Sequence, residues 1–115
     1  KLLGADFAAG NLFSVNLSGC NCQYMNISTE KLRETSFLNC DLGHAEFTNC
    51  KFFTVSFSEC NLAEAEFSHT ALKNIDLSDC RILGLRTGIT ELKGVIVTSF
   101  QALELAHLMG IVVKN

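Results

Sequence analysis

The sequence predicts an all-β protein, a right-handed quadrilateral β-helix (a four-sided β-solenoid) closed at its C-terminal end by a capping α-helix. Three observations predict this fold. An apolar residue recurs every five positions, a cysteine recurs every twenty, and the periodicity becomes helical after residue 97. A period of five fits neither the 3.6-residue repeat of a helix nor the two-residue repeat of a strand. It fits a chain that runs extended, turns a corner and repeats.

The five-residue repeat defines which side chains point inward. Every fifth residue from Phe7 to Ile82 is apolar or cysteine, and the residue two positions earlier is mostly small. A large and a small side chain on each side would fill the interior without a cavity. The large positions are Phe7, Leu12, Leu17, Cys22, Ile27, Leu32, Phe37, Leu42, Phe47, Phe52, Phe57, Leu62, Phe67, Leu72, Leu77 and Ile82.

The twenty-residue repeat sets the number of sides. Cys20, Cys40, Cys60 and Cys80 occupy equivalent small positions, and twenty divided by five gives four sides per coil. Each side would stack on the next coil at about 4.8 Å, the usual spacing of strands. We therefore expect a solenoid over residues 1–97, with four full coils at 5–84 and a degenerate partial coil, followed by a closing segment at 98–115.

The closing segment carries helix signals. Thr98 and Gln101 have the spacing of a capping box, and Gly110 is a typical helix stop. The sequence predicts a helix after Thr98 and a short strand over residues 111–113. A polar edge is expected at Gln101, Glu104 and His107. The apolar residues form two stripes, which are Phe100, Leu103 and Ala106 on one side and Ala102, Leu105 and Met109 on the other.

Two apolar stripes on one cap helix predict a homodimer. One stripe can cover the last coil, and the other then needs a partner. Symmetric pairing of two caps is the simplest solution, with Phe100, Leu103, Leu105, Ala106 and Met109 as its residues. The alternative is a monomer whose cap wraps loosely around the rod.

Cysteine and histidine do not predict a chemical site. The cysteine column has disulfide-range spacing, but buried thiols in a reducing cytoplasm are the preferred interpretation, and no zinc-ligand spacing occurs. His44 and His69 fall at solvent-facing corners. No phosphate-binding loop, catalytic pair or cofactor motif is found, so we expect neither an enzyme nor a metal or cofactor.

Composition excludes further classes. The net charge of −3 gives no indication of direct nucleic-acid binding, and no apolar run is long enough to cross a membrane. The start has no signal-peptide pattern and begins within the repeat. We expect the chain to be a C-terminal piece or a trimmed form of a longer protein.

The surface charges segregate by side. Asp6, Glu46 and Glu66 form an acidic column on one side, and Glu59, Asp76 and Asp79 lie on another. The side between them carries Lys31, Arg33, Lys51 and Lys73, with Phe13 and Phe53 pointing outward. Phe13, Arg33 and Phe53 are therefore a candidate interface patch. Glu30 interrupts the small inward positions, and either pairs with Lys31 or Arg33 or lies in a bulge.

The repeats resemble those of pentapeptide-repeat proteins. The consensus A-(D/N)-(L/F)-x-x is matched by ADFAA at 5–9, AEFTN at 45–49 and AEFSH at 65–69, without a register break over residues 5–84. That family implies the quadrilateral β-helix.

The closing segment LKGVIVTSFQALELAHLMGIVV resembles that of Qnr-type topoisomerase-protection proteins. This resemblance implies a dimeric rod that mimics DNA, binds DNA gyrase or topoisomerase IV, and protects it from quinolones or toxins. Two alternatives remain, a non-enzymatic scaffold for an unrelated partner and a spacer within a larger enzyme or effector.

Overall fold

The computed structural model describes residues 11–28 and 31–115, together with the backbone of residues 6–7. All strand pairs are parallel, and each joins residues twenty positions apart, as in Phe47 with Phe67. One coil therefore contains twenty residues. The predicted fold class, a β-solenoid of about four turns with one C-terminal helix, is confirmed.

Two parallel sheets cover three of the four sides. The first sheet runs along one side and contains β1 (Asp6–Phe7), β4 (Asn26–Ser28), β6 (Glu46–Thr48), β8 (Glu66–Ser68) and β9 (Arg86–Thr87). The second covers two adjacent sides and contains β2 (Leu12–Phe13), β3 (Asn16–Ser18), β5 (Lys31–Leu38) and β7 (Lys51–Ser58). Because β5 and β7 each continue around a corner, these two sides are joined by continuous backbone pairing.

The fourth side consists of turns rather than strands. Its coils meet through single bridges, such as Asn21 with Asp41, and each coil then forms a β-turn. In the first of these turns the N–H of Met25 donates to the Cys22 carbonyl at 3.1 Å, and Tyr24 has a φ of +62°. A positive φ at the third residue is the mark of a type II turn. The fourth side therefore bends sharply within a single pentapeptide.

Stacked phenylalanine rings fill the core. Phe37 lies 5.1 Å from Phe57, and Phe47 lies 4.9 Å from Phe67, measured between ring centroids, with nearly parallel planes. The two stacks meet edge to face, with Phe47 and Phe57 5.8 Å apart. Offset or edge-on aromatic pairs are favourable beyond their burial. Repeating the same large side chain one coil later therefore stabilises the stacking of coils.

The small inward residues make a second, polar contact between coils. The thiol of Cys60 donates to the Phe37 carbonyl at 3.2 Å, and the hydroxyl of Thr70 donates to the Phe47 carbonyl at 3.0 Å. In both cases the acceptor lies twenty-three residues earlier. These small side chains therefore satisfy backbone acceptors inside the rod, which would otherwise be costly to bury.

The cysteines behave as the sequence predicts. None of the six, all of which lie in the described residues, forms a disulfide, and all except the half-buried Cys20 are buried. Burial raises the pKa of the Cys22 thiol to about 12. The adjacent Cys60 thiol and burial also raise the pKa of Cys80. These two thiols are therefore protonated at neutral pH.

The cap helix α1 spans Ser99–Leu108, and its predicted capping box is confirmed. Thr98 is the N-cap, its hydroxyl accepts from the Gln101 N–H at 3.1 Å, and the Gln101 side-chain oxygen accepts from the Thr98 N–H at 2.9 Å. Gly110, with a φ of +80°, follows the helix as predicted.

Two predictions about the closing segment are wrong. Residues 111–113 are not a strand, because the Ile111 N–H donates to the Ala106 carbonyl at 2.9 Å and so closes the helix instead of joining a sheet. Gln101 is not on a polar edge facing solvent, since only 5% of it is exposed. Its side-chain amide donates to the carbonyls of Leu77 and Cys80 at 2.8 Å each, in the last coil.

Candidate interaction surfaces

The described residues contain no obvious chemical centre. Among them, no group of three or more His, Cys, Asp or Glu side chains is arranged to hold a metal ion. Residues 11–28 and 31–115 also include no helix with the length and hydropathy needed to span a bilayer. The surface features that distinguish one side of the rod from another are charge and exposed aromatic side chains.

The acidic column lies on the first sheet. Glu46 and Glu66 are direct partners on β6 and β8, with Glu46 exposed and Glu66 half-buried. One coil earlier in the chain, Asn26 pairs with Glu46, and the backbone of Asp6 pairs with Asn26 in the coil before that. The side chain of Asp6 lies outside the described residues.

Arg86 ends this acidic column. It pairs with Glu66 across β8 and β9, and its guanidinium lies 3.6 Å from the Glu66 carboxylate. Arg86 lies just beyond the four full coils that the sequence predicts at residues 5–84, so it was missing from the predicted column. Adding twenty to residue 66 would have identified Arg86. Among the described residues of this column, Glu46 is therefore the carboxylate that has no basic side chain paired with it.

A second acidic group lies on the opposite side of the rod. Asp76 and Asp79 are exposed, and the Asp79 carboxylate accepts from the Ser58 hydroxyl at 3.1 Å. The side chain and backbone N–H of Ser78 hydrogen-bond to Asp76 and lower the pKa of that carboxyl. Glu59, also exposed, lies twenty residues before Asp79. These three carboxylates make this side acidic, as the sequence predicts.

The side between the two acidic sides carries an aromatic–cationic face, which consists of Phe13, Lys31, Arg33, Lys51 and Phe53. Phe13 pairs with Arg33, and Arg33 with Phe53, so the three form one column across three coils. The Arg33 guanidinium lies 4.6 Å from the centroid of the Phe53 ring, which is a cation–π contact. Phe13 is 62% exposed and Phe53 is 42% exposed.

Acidic residues near this face are few. Glu34 lies at the adjoining corner, where its carboxylate accepts from the Ser14 hydroxyl at 3.4 Å. Glu30 lies outside the described residues, so its predicted pairing or bulge stays a prediction. Lys31 and Lys51 are direct neighbours across β5 and β7, and both are exposed.

The two corner histidines are exposed, as predicted. The His44 ring stacks on Tyr24 with centroids 4.9 Å apart, and the His69 N–H donates to the Glu91 carboxylate at 2.9 Å. Neither histidine lies beside a nucleophile in these contacts.

The cap helix divides the predicted dimer residues into two groups. Leu105 is buried, and Ala106 and Met109 are half-buried. Phe100 is 70% exposed and Leu103 is also exposed. The outer apolar surface of the cap, which we call the cap face, therefore consists of Phe100 and Leu103 with Leu108 and Ile111, which are exposed as well.

The sequence itself decides the family. Eight copies of the pentapeptide-repeat pattern match the chain over residues 11–52 and 55–81, which is more than half of its length. The chain belongs to the pentapeptide-repeat family. This assignment explains why Asn, Asp or Glu so often precedes the large inward residue and why every coil has four sides.

Solved pentapeptide-repeat structures share this fold. HetL, which is involved in heterocyst differentiation regulation in the cyanobacterium Nostoc sp. strain PCC 7120, is 21% identical with a TM-score of 0.74 over 85% of this chain and 47% of HetL. A thylakoid-lumen pentapeptide-repeat protein of Arabidopsis thaliana is 22% identical with a TM-score of 0.52, over 82% of this chain and 76% of its own. The chain thus spans about half the length of HetL.

The plasmid-mediated fluoroquinolone-resistance protein QnrB1 is also similar. It is 19% identical with a TM-score of 0.42, over 94% of this chain and 85% of its own. The chain has no match among curated proteins. The likenesses to HetL and to the Arabidopsis protein establish the fold alone at these identities, and the partner of this rod has to be argued from its surface.

Proposed function

We propose that this pentapeptide-repeat protein is a DNA mimic that binds a type II topoisomerase, DNA gyrase or topoisomerase IV, and protects it from quinolones or toxins. The observation that carries the proposal is the position of the carboxylates on two opposite sides of the rod. Glu46 and Glu66 lie on one side, and Glu59, Asp76 and Asp79 lie on the other. Two opposed lines of negative charge resemble the two phosphate strands of a duplex.

The dimensions of the rod agree with this role. Its principal extents are 45 × 25 × 21 Å, so its cross-section is close to the width of a DNA duplex. Its charge is sparser than that of B-DNA, which carries one charge per about 1.7 Å of axis. Arg86 compensates Glu66 in addition. We therefore expect a contact weaker than that of DNA and sensitive to salt.

The same proposal includes a homodimer formed through the cap face. An apolar surface at the end of a rod favours pairing with an identical surface around a twofold axis. Such a dimer would place two acidic rods end to end and double the length available to a topoisomerase. The protein acts in this proposal by occupying a DNA-binding surface, without catalysis, and in the cytoplasm.

A gyrase supercoiling assay tests the proposal. Purified gyrase is inhibited with ciprofloxacin, and the protein is titrated in at low micromolar concentration. We expect supercoiling to be restored by the natural protein and lost when Asp6, Glu46 and Glu66 are all replaced by Lys. Glu64→Lys is the matched control, because Glu64 is an exposed acid at a corner of the turn-built fourth side.

Two outcomes of the supercoiling assay would contradict the proposal. If the protein neither restores nor inhibits supercoiling by gyrase or topoisomerase IV, or if Glu64→Lys abolishes rescue as fully as the triple replacement, DNA mimicry is wrong. A non-enzymatic scaffold for an unrelated partner then becomes the better function. The aromatic–cationic face favours this second candidate, because exposed Phe beside Arg is typical of protein interfaces.

A further inference from the structure

We propose that the aromatic–cationic face is a docking surface for an acidic, amphipathic segment of a partner protein. The surface consists of Phe13, Lys31, Arg33, Lys51 and Phe53. It lies on a different side of the rod from the carboxylates assigned to topoisomerase binding. The inference therefore does not depend on the identity of that partner.

The exposed phenylalanines do not serve the core of the rod. Leu32 fills the interior of this side and is fully buried, while Phe13 and Phe53 occupy outward positions of the same sheet. The equivalent outward positions on the adjoining side hold Ser18, Leu38 and Ser58, so exposed aromatic rings in this column are specific to the aromatic–cationic face. Covering an exposed aromatic ring gains about 25 cal/mol for each Å² of apolar area removed from water. A partner would supply the burial that the rod does not.

Arg33 is already held in position for binding. Its guanidinium stacks at 4.6 Å over the Phe53 ring. A guanidinium carries its N–H donors in its own plane, so it can stack on an aromatic ring and donate to a carboxylate at the same time. Because the side chain is ordered by the ring, less conformational entropy is lost when a carboxylate binds.

The two lysines favour a negatively charged partner. Lys31 and Lys51 are directly opposite each other on adjacent parallel strands. Like charges in this position repel and destabilise a sheet. Carboxylates placed over the pair would relieve this repulsion. Three cations on one face, without an acid paired to them among the described residues, match a segment that carries two or three Asp or Glu side chains.

Charge also favours a short acidic protein segment over a nucleic acid. The protein has a net charge of −3, and acidic sides adjoin this face on both flanks. A phosphate backbone that ran beyond the three cations would meet those carboxylates. A peptide can restrict its charge to the face, with apolar side chains at Phe13 and Phe53. These two rings are two coils apart, about 10 Å, which is close to the length of two helical turns, about 11 Å.

Peptide selection tests the inference directly. A phage-displayed library of random twelve-residue peptides is selected on the immobilised full chain, and the most enriched peptide is labelled with fluorescein for anisotropy titration. We expect peptides with several Asp or Glu between apolar residues. Binding should weaken at least about tenfold in Phe13→Ser/Phe53→Ser and in Arg33→Glu.

Two substitutions on the turn-built side are matched controls. Tyr24→Ser removes an exposed aromatic ring, and Arg81→Glu reverses an exposed cation. Both should leave peptide affinity unchanged. All variants should remain folded by circular dichroism, because the altered side chains point outward and only the ring contacts at Phe53 and Tyr24 are lost. A library without enrichment, enriched peptides that lack acids, or affinity that falls equally in the controls would overturn the inference.

A second titration tests the alternative that this face binds single-stranded nucleic acid instead of a peptide. Fluorescein-labelled oligo-dT is titrated under the same conditions, and we expect binding at least tenfold weaker than that of the peptide. Tighter binding of oligo-dT, lost in Arg33→Glu, would overturn the inference in favour of a single-strand platform. The Arg33→Glu variant is also tested in the gyrase supercoiling assay, where we expect it to restore supercoiling although it has lost peptide binding. The docking proposal and the DNA-mimicry proposal can therefore fail independently of each other.

Discussion

The side-chain amide of Gln101 donates a hydrogen bond to the backbone carbonyl of Leu77 at 2.8 Å, and a second one to Cys80 at the same distance. Leu77 and Cys80 belong to the last part of the rod that has the regular coil spacing. Carbonyls inside the rod are satisfied by the next coil, as in the N–H of Asn61 and the Cys40 carbonyl at 3.0 Å. Gln101 therefore supplies donors in the place of a further coil.

Removing this side chain should destabilise the protein strongly. Gln101→Ala leaves the buried Cys80 carbonyl without a donor, removes one of the two donors to the Leu77 carbonyl and deletes half of the capping box. We therefore expect a loss of about 3 kcal/mol in the free energy of unfolding. Urea denaturation followed by circular dichroism measures it. His107→Ala, on the exposed surface of the same helix, should cost less than about 0.5 kcal/mol. Equal losses in the two variants would show that Gln101 has no special role.

The buried hydroxyl of Thr70 should matter more than that of Thr35. The Thr70 hydroxyl shares its proton between the carbonyls of Phe47 and Ser68 and accepts from the Cys50 N–H, whereas the Thr35 hydroxyl has one hydrogen bond, to the Arg33 carbonyl. We expect Thr70→Val to cost about 2 to 3 kcal/mol and Thr35→Val about 1 kcal/mol. Paired urea titrations compare them, and a larger loss for Thr35→Val would contradict the contact between coils.

The buried Cys22 thiol should make stability fall in alkali. Burial raises the pKa of Cys22 to about 12 from 9.0. In the unfolded chain this thiol ionises as the pH rises above 9, while the folded protein still binds its proton. The contribution of this thiol to the free energy of unfolding is thus fully present below pH 9 and is lost between pH 9 and 12. Melting temperatures at pH 8 and 10.5 measure this, and Cys22→Ala should show a smaller decline over the same interval.

Thiol accessibility gives a separate prediction. Cys20 is half-buried, whereas the other five cysteines are buried. We expect DTNB at pH 8 to modify Cys20 within minutes and the others only as fast as the protein unfolds. Cys20→Ser should abolish the fast phase. A fast phase that persists in this variant would show that the rod opens locally at another coil.

Disrupting the cap face should produce a monomer. Phe100→Ser combined with Leu103→Glu places a polar group and a charge on the surface proposed to pair, so sedimentation velocity should show half the natural mass. Leu83→Ser, which alters an exposed leucine on the side of the rod, should remain dimeric. If the natural protein sediments as a monomer at all concentrations, the predicted dimer is wrong.

The solenoid was predictable because its rule is local and repeats. Residues such as Phe47 and Phe67 have equivalent surroundings, so one period describes every coil. The cap differs because its surroundings occur once. The polarity pattern of the helix predicted that Gln101 faces water, since it contains no information about the carbonyls of Leu77 and Cys80 to which the Gln101 amide donates.

The candidate surfaces were predictable in part for the same reason. Twenty-residue spacing placed Phe13, Arg33 and Phe53 in one column before their contact was known. It missed Arg86 because the small and large alternation weakens after residue 84, although the strand pairing continues. Rotamer-level features, such as the stacking of Arg33 on Phe53, depend on side-chain conformations that no sequence period encodes.

The constant offset of twenty residues between paired strands bears on how such a rod changes during evolution. Duplication of twenty residues would lengthen the molecule by one coil, about 4.8 Å, and keep every inward residue inward. Insertion of a single residue would turn the following core positions toward solvent. The length of such a rod can therefore change only in steps of one whole coil, while its cross-section stays the same.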